Sequence, residues 1–503
     1  MHTDQNNRAE TIVRGVGSLT LQSVLNAVLG FVLLASLVRF LPQASYGSYG
    51  TYASVQVTVG IAGVVSGFGL SSAVVRFLAP SSSDEGGSGW GSAKAALYLT
   101  VALSAAVSLF LVGAAPYLSD YFAKSPSLAW AFYLGAAWNF TSSIATPVQA
   151  LLQGMRRYTL LAKVLLGSRF VAVAIAVVGV ALYQSLAVAI AAQIVYGLLV
   201  FFAALPVAWD PLRRADPRPY YGVVMKYAYL LGLAGLVGAV ANNADIVVVG
   251  GYLSLGSLGV YNAAVQISSV LSSFFVFPLV TALFAETSFS SASEDEVRRG
   301  TSLAFRFSLV TLLPASLFAA AMAPQLFDLF SGGGNYSQGI PYLQLITLFY
   351  VFTAIQTIAI AILQGVSRTR QVLVVGAVTA LGEVALSVSL VPTLGLAGAA
   401  ISRVVIFLVG CSLSLYFIRQ YLPKPVDVAF YAKALVASGG LALAVYIPSV
   451  MISNRVLTLV PYTVLGIGLY LVLAKLLKLL NDEDRLYLAH LLPVWLQWIT
   501  RLI

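Results

Sequence analysis

The sequence predicts an all-α polytopic membrane protein with about fourteen transmembrane helices. Three observations support this fold class: a composition too apolar for a soluble protein, apolar segments that recur along the whole chain, and an internal repeat of roughly 210 residues. The repeat predicts two six-helix bundles related by a pseudo-twofold axis along the membrane normal, followed by two extra C-terminal helices.

The composition excludes a soluble fold. The chain has 503 residues, of which 59% are hydrophobic and 9% are charged, whereas about 25% of residues are charged in a typical soluble protein. The single cysteine, Cys411, excludes an internal disulfide and a cysteine-rich metal site. The two histidines lie at opposite ends of the chain, and no P-loop or Walker motif is visible. We therefore expect no metal, no cofactor and no ATP hydrolysis.

A membrane-spanning helix needs about 20 mainly apolar residues. Fourteen segments of the chain meet this requirement, and no loop between them is long enough for a soluble catalytic domain. The predicted spans are 11–38, 49–78, 93–115, 127–150, 158–182, 185–207, 226–249, 257–285, 300–324, 339–363, 371–391, 395–418, 428–451 and 456–479.

The distribution of cations predicts the topology. With fourteen spans both termini share a side, and 22 of the 28 Lys and Arg residues fall on that side, against only Arg39, Lys124 and Arg455 on the other. The positive-inside rule then predicts a multi-pass protein of the cell membrane with both termini in the cytoplasm. The net charge of +10 is explained by attraction to anionic lipid, so nucleic acid is not an expected partner.

The two halves of the chain repeat one another. Leu41, Ser45, Gly47 and Tyr49 match Leu253, Ser257, Gly259 and Tyr261, and "LLQG" and "LAVAIAA" have counterparts in "ILQG" and "LAGAAIS" at offsets of 210 to 212 residues. The predicted domains are an N-terminal bundle (1–207), a cytoplasmic linker (208–225), a C-terminal bundle (226–420), helices 13 and 14 (421–479) and an interfacial amphipathic tail (480–503).

Polar residues in the spans are candidates for function, because polar groups are expensive in hydrocarbon. The alternative is structural: hydrogen bonds between helices, or an ion pair of Glu383 with Arg403 or Arg169. Candidate substrate or cavity residues are Arg14, Gln22, Asn26, Arg39, Gln56, Arg76, Asn242, Asn262, Gln266, Arg169, Arg306 and Arg403, and candidate ion-coupling residues are Asp245 and Glu383.

Four segments carry a family resemblance: "RFLPQASYGSY", "GSLGVYNAAVQI", "LQGVSRTR" and "VPTLGLAGAAIS". The chain resembles the polysaccharide transporter branch, with the Wzx-type O-antigen flippases, of the multidrug/oligosaccharidyl-lipid/polysaccharide flippase superfamily. The MATE exporters and the lipid II flippase are more distant relatives. Asp245 matches a common aspartate of the branch, whereas the arginine cluster of the lipid II flippase reduces here to Arg14, Arg39 and Arg76.

The resemblance implies a flippase that moves a polyprenyl-linked oligosaccharide from the cytoplasmic to the outer leaflet. Alternating access through a central cavity, with H⁺ or Na⁺ coupling, is the expected mechanism. The expected partners are a polyprenyl-phosphate- or diphosphate-linked glycan, membrane lipids and glycan-assembly enzymes. Two alternatives stay open: a MATE-like cation-coupled exporter of small amphipathic molecules, and a polyprenyl-dependent membrane glycosyltransferase or polymerase. The leading prediction is therefore a transporter, and we do not expect the protein to be an enzyme.

Overall fold

The computed structural model describes residues 22–41, 48–78, 88–271, 294–331, 335–366, 368–421, 428–451 and 455–479. Regular secondary structure in these ranges is helical throughout, which confirms the all-α fold class. In chain order the helices are α1 Gln22–Phe40, α2 Ser48–Gly67, α3 Leu70–Leu78, α4 Ser88–Ala123, α5 Ala129–Gly154, α6 Tyr158–Tyr183, α7 Leu186–Arg214, α8 Tyr221–Tyr252, α9 Leu255–Leu271, α10 Glu294–Ala321, α11 Ala323–Ser331, α12 Ile340–Leu348, α13 Tyr350–Gly365, α14 Thr369–Leu394, α15 Leu396–Ile418, α16 Val428–Met451 and α17 Arg455–Leu476.

Each of the fourteen predicted spans overlaps a helix or a helix pair, and the parts 11–21 and 272–285 of two spans lie outside the described ranges. Ten helices are long and apolar enough to cross a membrane, or twelve if each of two bent pairs is one span. The other two are α5, which carries the polar run "NFTSS", and α9, which has 17 described residues. The multi-pass membrane character is therefore confirmed, whereas the count of about fourteen is not.

Two of the predicted spans are broken near their middle. Helices α2 and α3 meet at an angle of 45°, and α12 and α13 meet at 41°. At the first break Phe68 and Gly69 have φ of 33° and 72°, a left-handed conformation that ends an α-helix. The apolar runs 49–78 and 339–363 each predict a single span, because hydropathy does not reveal a backbone turn inside an apolar run.

Residues 1–262 form the first of two compact units. Its core joins Leu70 and Val74 of α3 to Leu151 and Leu152 of α5 and Val224 of α8. Alanines of α4, α7 and α8 fill the remaining space, because lipid offers no hydrophobic gain over the core and small side chains let helices approach closely.

Residues 263–503 form the second unit. Helices α10, α16 and α17 share a core in which the Tyr470 hydroxyl donates to the Val310 carbonyl at 2.5 Å. Helices α14 and α15 are joined by Gly395, whose φ of 61° is typical of glycine in a tight turn.

Some sequence predictions fall on parts of the chain that are not described. Arg14, Gly47 and the predicted interfacial tail 480–503 lie outside the described residues. The predicted linker 208–225 is helical except at 215–217. The boundary between the compact units lies at Asn262, inside α9, and the predicted domain bounds 1–207 and 226–420 stay a prediction.

Candidate functional site

A buried carboxylate lies near the C-terminal end of α8. Asp245 is fully buried, and the Tyr261 hydroxyl of α9 donates a hydrogen bond to its Oδ2 atom. The Ile246 N–H lies 2.9 Å from Oδ1. Tyr261 is itself fully buried, so a phenol on the neighbouring helix holds the carboxylate away from lipid.

The next residue of α9 extends this cluster to α2. The side-chain amide of Asn262 donates to the Tyr49 hydroxyl at 3.0 Å. The Oδ1 atom of Asn262 is buried and has no hydrogen-bond partner in the described part of the chain. Tyr49 and Tyr261 are the matched tyrosines of the internal repeat, so each half supplies one phenol to this buried polar cluster. We call Asp245, Tyr261, Asn262 and Tyr49 the carboxylate cluster.

Glycines let α2 and α9, two of the helices that carry this cluster, approach one another. A Cβ atom on Gly50 would overlap the carbonyl group of Leu255, and a Cβ on Gly259 would lie 3.1 Å from the Gly50 nitrogen. Backbone therefore packs directly on backbone at this crossing, which the missing side chain of glycine permits. The contact brings Tyr49 and Asn262 within hydrogen-bonding distance.

A second polar cluster surrounds Arg169 of α6. Its Nη1 atom donates to Oε1 of Gln193 on α7 at 3.1 Å, and its guanidinium carbon lies 5.5 Å from the centre of the Tyr196 ring. The Arg169 Nε and the Gln193 Nε2 are buried and make no hydrogen bond to any described residue. Gln193 is only 3% exposed, so within the described part of the chain two buried N–H donors are left without an acceptor. Arg169, Gln193 and Tyr196 are the arginine cluster below.

Aromatic side chains extend from Tyr49 of the carboxylate cluster to α5. The Tyr49 and Tyr52 rings stack with centroids 6.3 Å apart, and Tyr52 stacks on Trp138 at 5.9 Å. Asn139, beside Trp138, is fully buried, and its amide donates to Ser66 at 3.1 Å and to Ser108 at 2.9 Å. Both amide hydrogens of Asn139 are therefore used in hydrogen bonds within the first unit.

The second unit holds its own buried charges. Glu383 of α14 is 1% exposed and accepts a hydrogen bond from Ser387 at 3.3 Å. Arg403, on the adjoining helix α15, is 8% exposed. The Arg306 guanidinium of α10 lies 4.8 Å from the centre of the Phe430 ring of α16. Among the described residues, no group of three or more His, Cys, Asp or Glu is able to hold a metal ion.

The other candidates from the sequence lie apart from these clusters or at their edges. Asn242 is exposed, and its amide donates to the Gly238 carbonyl of its own helix at 2.7 Å. Arg39 and Arg76 are exposed near helix ends, beside the rings of Phe40 and Tyr227. Half-buried positions are occupied by Gln22, Asn26, Gln56 and Gln266.

Four residues of the clusters were not singled out as site candidates by sequence reasoning: Tyr49, Tyr261, Gln193 and Tyr196. A signal for the tyrosines was present, since both belong to the matched repeat positions. Gln193 had a weaker signal, which was only the presence of a lone amide in the apolar run "LAVAIAAQIVYG". Such an amide is energetically unfavourable in a span unless it has a polar partner.

Comparison with known proteins places these features in context. Residues 36–334 match the family described as polysaccharide biosynthesis protein. No curated protein matches the sequence.

Three solved structures of similar fold are distant from this chain in sequence. The lipid II flippase MurJ in an inward closed conformation is 14% identical with a TM-score of 0.74, over 92% of this chain and 98% of that chain. A multidrug resistance MATE transporter of the MOP superfamily, facing inward, is 16% identical with a TM-score of 0.61, over 79% of this chain and 94% of its own. A MOP superfamily transporter from Pyrococcus furiosus is 17% identical, with a TM-score of 0.60 over 81% and 95% of the two chains. The fold is therefore that of the MOP superfamily.

Proposed function

Because this chain belongs to the polysaccharide biosynthesis protein family, we propose that it moves a polyprenyl-phosphate- or diphosphate-linked oligosaccharide from the cytoplasmic leaflet to the outer leaflet. Transporters built from repeated helical bundles use alternating access, and that is the mechanism we infer here. Enzymes that assemble the glycan are the expected protein partners, since they supply the lipid-linked substrate.

The observation that carries the proposal is the arginine cluster. A buried donor without an acceptor costs about 1–3 kcal/mol, so two such donors in one cluster favour a ligand that supplies the missing oxygens. Arg169 has a planar fork of donors that matches a phosphate, and Gln193 adds a neutral donor beside it. The phosphate and the hydroxyl-rich sugars of a lipid-linked glycan provide acceptors of both kinds.

The carboxylate cluster supports an energy-coupling role. In this proposal the buried, hydrogen-bonded carboxylate of Asp245 exchanges a proton or a Na⁺ ion. Glu383 is the corresponding candidate in the second unit. The coupling ion is left open between H⁺ and Na⁺.

A second candidate function is the export of small amphipathic molecules with cation coupling. The fold similarity to multidrug MATE transporters and the buried carboxylates favour it. The two functions differ in their cargo: the first requires a glycan on a lipid carrier, and the second transports a free small molecule. A membrane glycosyltransferase or polymerase would instead alter the glycan.

A reconstituted assay tests the proposal. Purified protein in liposomes is given a fluorescent polyprenyl-diphosphate sugar, and the fraction reaching the opposite leaflet is measured with an impermeant quencher. We expect transfer of the intact lipid-linked sugar by the wild type. Arg169→Gln should slow it about tenfold or more, because a hydrogen bond to a charged group contributes about 1.5–3 kcal/mol.

The control variant is Lys163→Gln, which removes an exposed cation from the same helix and should leave the rate unchanged. Transport of a fluorescent cationic dye without transfer of the lipid-linked sugar would favour the exporter function. A changed glycan in the product would favour an enzyme.

A further inference from the structure

An apolar groove runs along the surface of the first unit between α2, α4 and α8. Its volume is about 560 Å³, within the range of about 300–1,000 Å³ of small-molecule pockets. The two hydroxyl groups in its lining are both engaged with backbone: Thr58 donates to Ser54 at 2.8 Å, and Tyr121 donates to Val247 at 3.3 Å. The groove therefore offers an occupant hydrocarbon contacts and almost no polar ones.

The groove is longer than one leaflet of a bilayer. Its lining on α4 extends from Ala106 to Phe122, which is about 24 Å at the helical rise of ~1.5 Å per residue. Half of a hydrocarbon core is about 15 Å. An occupant that fills this groove from end to end is therefore longer than one leaflet is thick.

Two consecutive glycines shape the end of the groove near Phe122. Cβ atoms on Gly250 and Gly251 of α8 would overlap the rings of Phe122 and Tyr121 respectively. These rings pack edge to face with centroids 5.1 Å apart. A glycine inside a helix costs roughly 0.5–1 kcal/mol relative to alanine, so the pair has a packing reason: it lets both rings lie on bare helix backbone.

A cation lies at the same end. Lys124 takes a left-handed φ of 52°, and its ammonium donates to the carbonyl groups of Tyr121, at 2.9 Å, and Gly251. Its Nζ is 5.5 Å from the centre of the Tyr121 ring, and the residue is exposed. An ammonium has three donors, so its third donor and its charge are available to an anion at the mouth of the groove.

We propose that this groove holds the isoprenoid chain of the lipid-linked substrate, with the carrier's phosphate beside Lys124. The inference rests on the proposed function for the identity of the substrate. An apolar groove longer than one leaflet, with the Lys124 cation at one end, complements one long chain that carries an anion at one end. A bilayer phospholipid has two shorter chains. Lys124 lies on the predicted outward side, so the groove takes the carrier after its head group has crossed.

Lipid retention tests the groove directly. The full-length protein is purified from nanodiscs that contain undecaprenyl phosphate and phosphatidylglycerol at equal mole fraction, and bound lipid is measured by native mass spectrometry. We expect undecaprenyl phosphate to be enriched about tenfold over phosphatidylglycerol, because of its single long chain. Lys124→Gln should lower retention of undecaprenyl phosphate about tenfold without lowering retention of uncharged undecaprenol.

Two matched pairs of variants locate the chain. Ala106→Trp fills the groove and should abolish the enrichment, whereas Ala102→Trp, at an exposed alanine one turn away outside the lining, should not. Phe110→Ala removes a groove wall and should lower retention, whereas Leu109→Ala should not, although both side chains are 72% exposed. Each pair keeps the test valid if a variant of the other pair fails to fold.

Several outcomes would overturn the inference. If phosphatidylglycerol is retained as well as undecaprenyl phosphate, the groove is an ordinary lipid contact. If the two variants of each pair have equal effects on retention, the isoprenoid chain does not lie in this groove. The flipping assay on the same variants separates this inference from the proposed function. If the wild type flips the substrate and the groove variants also bind and flip it normally, only the assignment of the groove is wrong. If undecaprenyl phosphate binds in the groove but the protein flips no substrate, only the proposed function is wrong.

Discussion

Asp245 shows how a single residue at membrane depth acquires a defined environment. An isolated carboxylate in hydrocarbon is strongly unfavourable, and it persists only with hydrogen bonds or a charge partner. The Tyr261 hydroxyl and the Ile246 N–H provide such bonds, one from the neighbouring helix and one from the same helix. These two hydrogen bonds position the carboxylate for which we propose a coupling role.

We predict that Asp245→Asn expresses and folds normally but transports the lipid-linked sugar about tenfold more slowly or worse, since losing ~1.4 kcal/mol of ion binding already gives that factor. The substitution keeps the shape of the side chain and removes its charge. Flipping in liposomes across a series of pH and Na⁺ values measures the effect. Tyr261→Phe, which keeps the carboxylate and removes its phenol partner, should show a smaller loss. Wild-type rates for Asp245→Asn under every condition would make Asp245 a packing residue.

At the scale of helices, the crossing of α2 and α9 depends on the absence of side chains. Helix association in a bilayer has little hydrophobic driving force, so close packing and hydrogen bonds hold helices together. Gly50 and Gly259 bring the two backbones into contact, and the Tyr49–Asn262 hydrogen bond forms beside them. The repeat motif with its glycines is therefore a device for helix packing.

Alanine at Gly50 should destabilise the protein by about 1–3 kcal/mol, because the added Cβ meets the Leu255 backbone, which has no freedom to swing away. Gly60 lies on the same helix and is exposed, and a Cβ added there would meet nothing within 4 Å, so Gly60→Ala should be neutral or stabilising by up to ~1 kcal/mol. Thermal unfolding in detergent compares the two variants. Equal melting temperatures would show that the close approach at Gly50 contributes nothing to stability.

For the whole molecule, the asymmetry of charge predicts the orientation in the membrane. Most of the 28 cations lie on one predicted side, and anionic lipid at the cytoplasmic face attracts them. The helices of the structure agree with the order of spans on which this prediction depends, whereas the side occupied by the termini stays a prediction.

We predict that a membrane-impermeant maleimide added outside cells labels Ser337→Cys and not Arg214→Cys. Both residues are exposed and lie on opposite predicted sides. The background is Cys411→Ala, which removes the only native thiol, itself buried. Permeabilised cells serve as the control, in which both positions should react. Labelling of Arg214→Cys in intact cells would invert the predicted topology.

The sequence alone determined the membrane fold class, the order and approximate bounds of the helices, and the residues whose polarity demands an explanation. Hydropathy and repeat patterns are properties of consecutive residues, so they can be read without coordinates. Only the tertiary structure decided which polar residues meet: Asp245 pairs with Tyr261 and Arg169 with Gln193, while Asn242, one turn from Asp245, points to its own helix backbone. The bend at Gly69 and the groove between α2, α4 and α8 also required it. The physical reason is that a hydropathy pattern reports how a helix meets lipid, whereas pairing depends on how close and at what angle two helices pack.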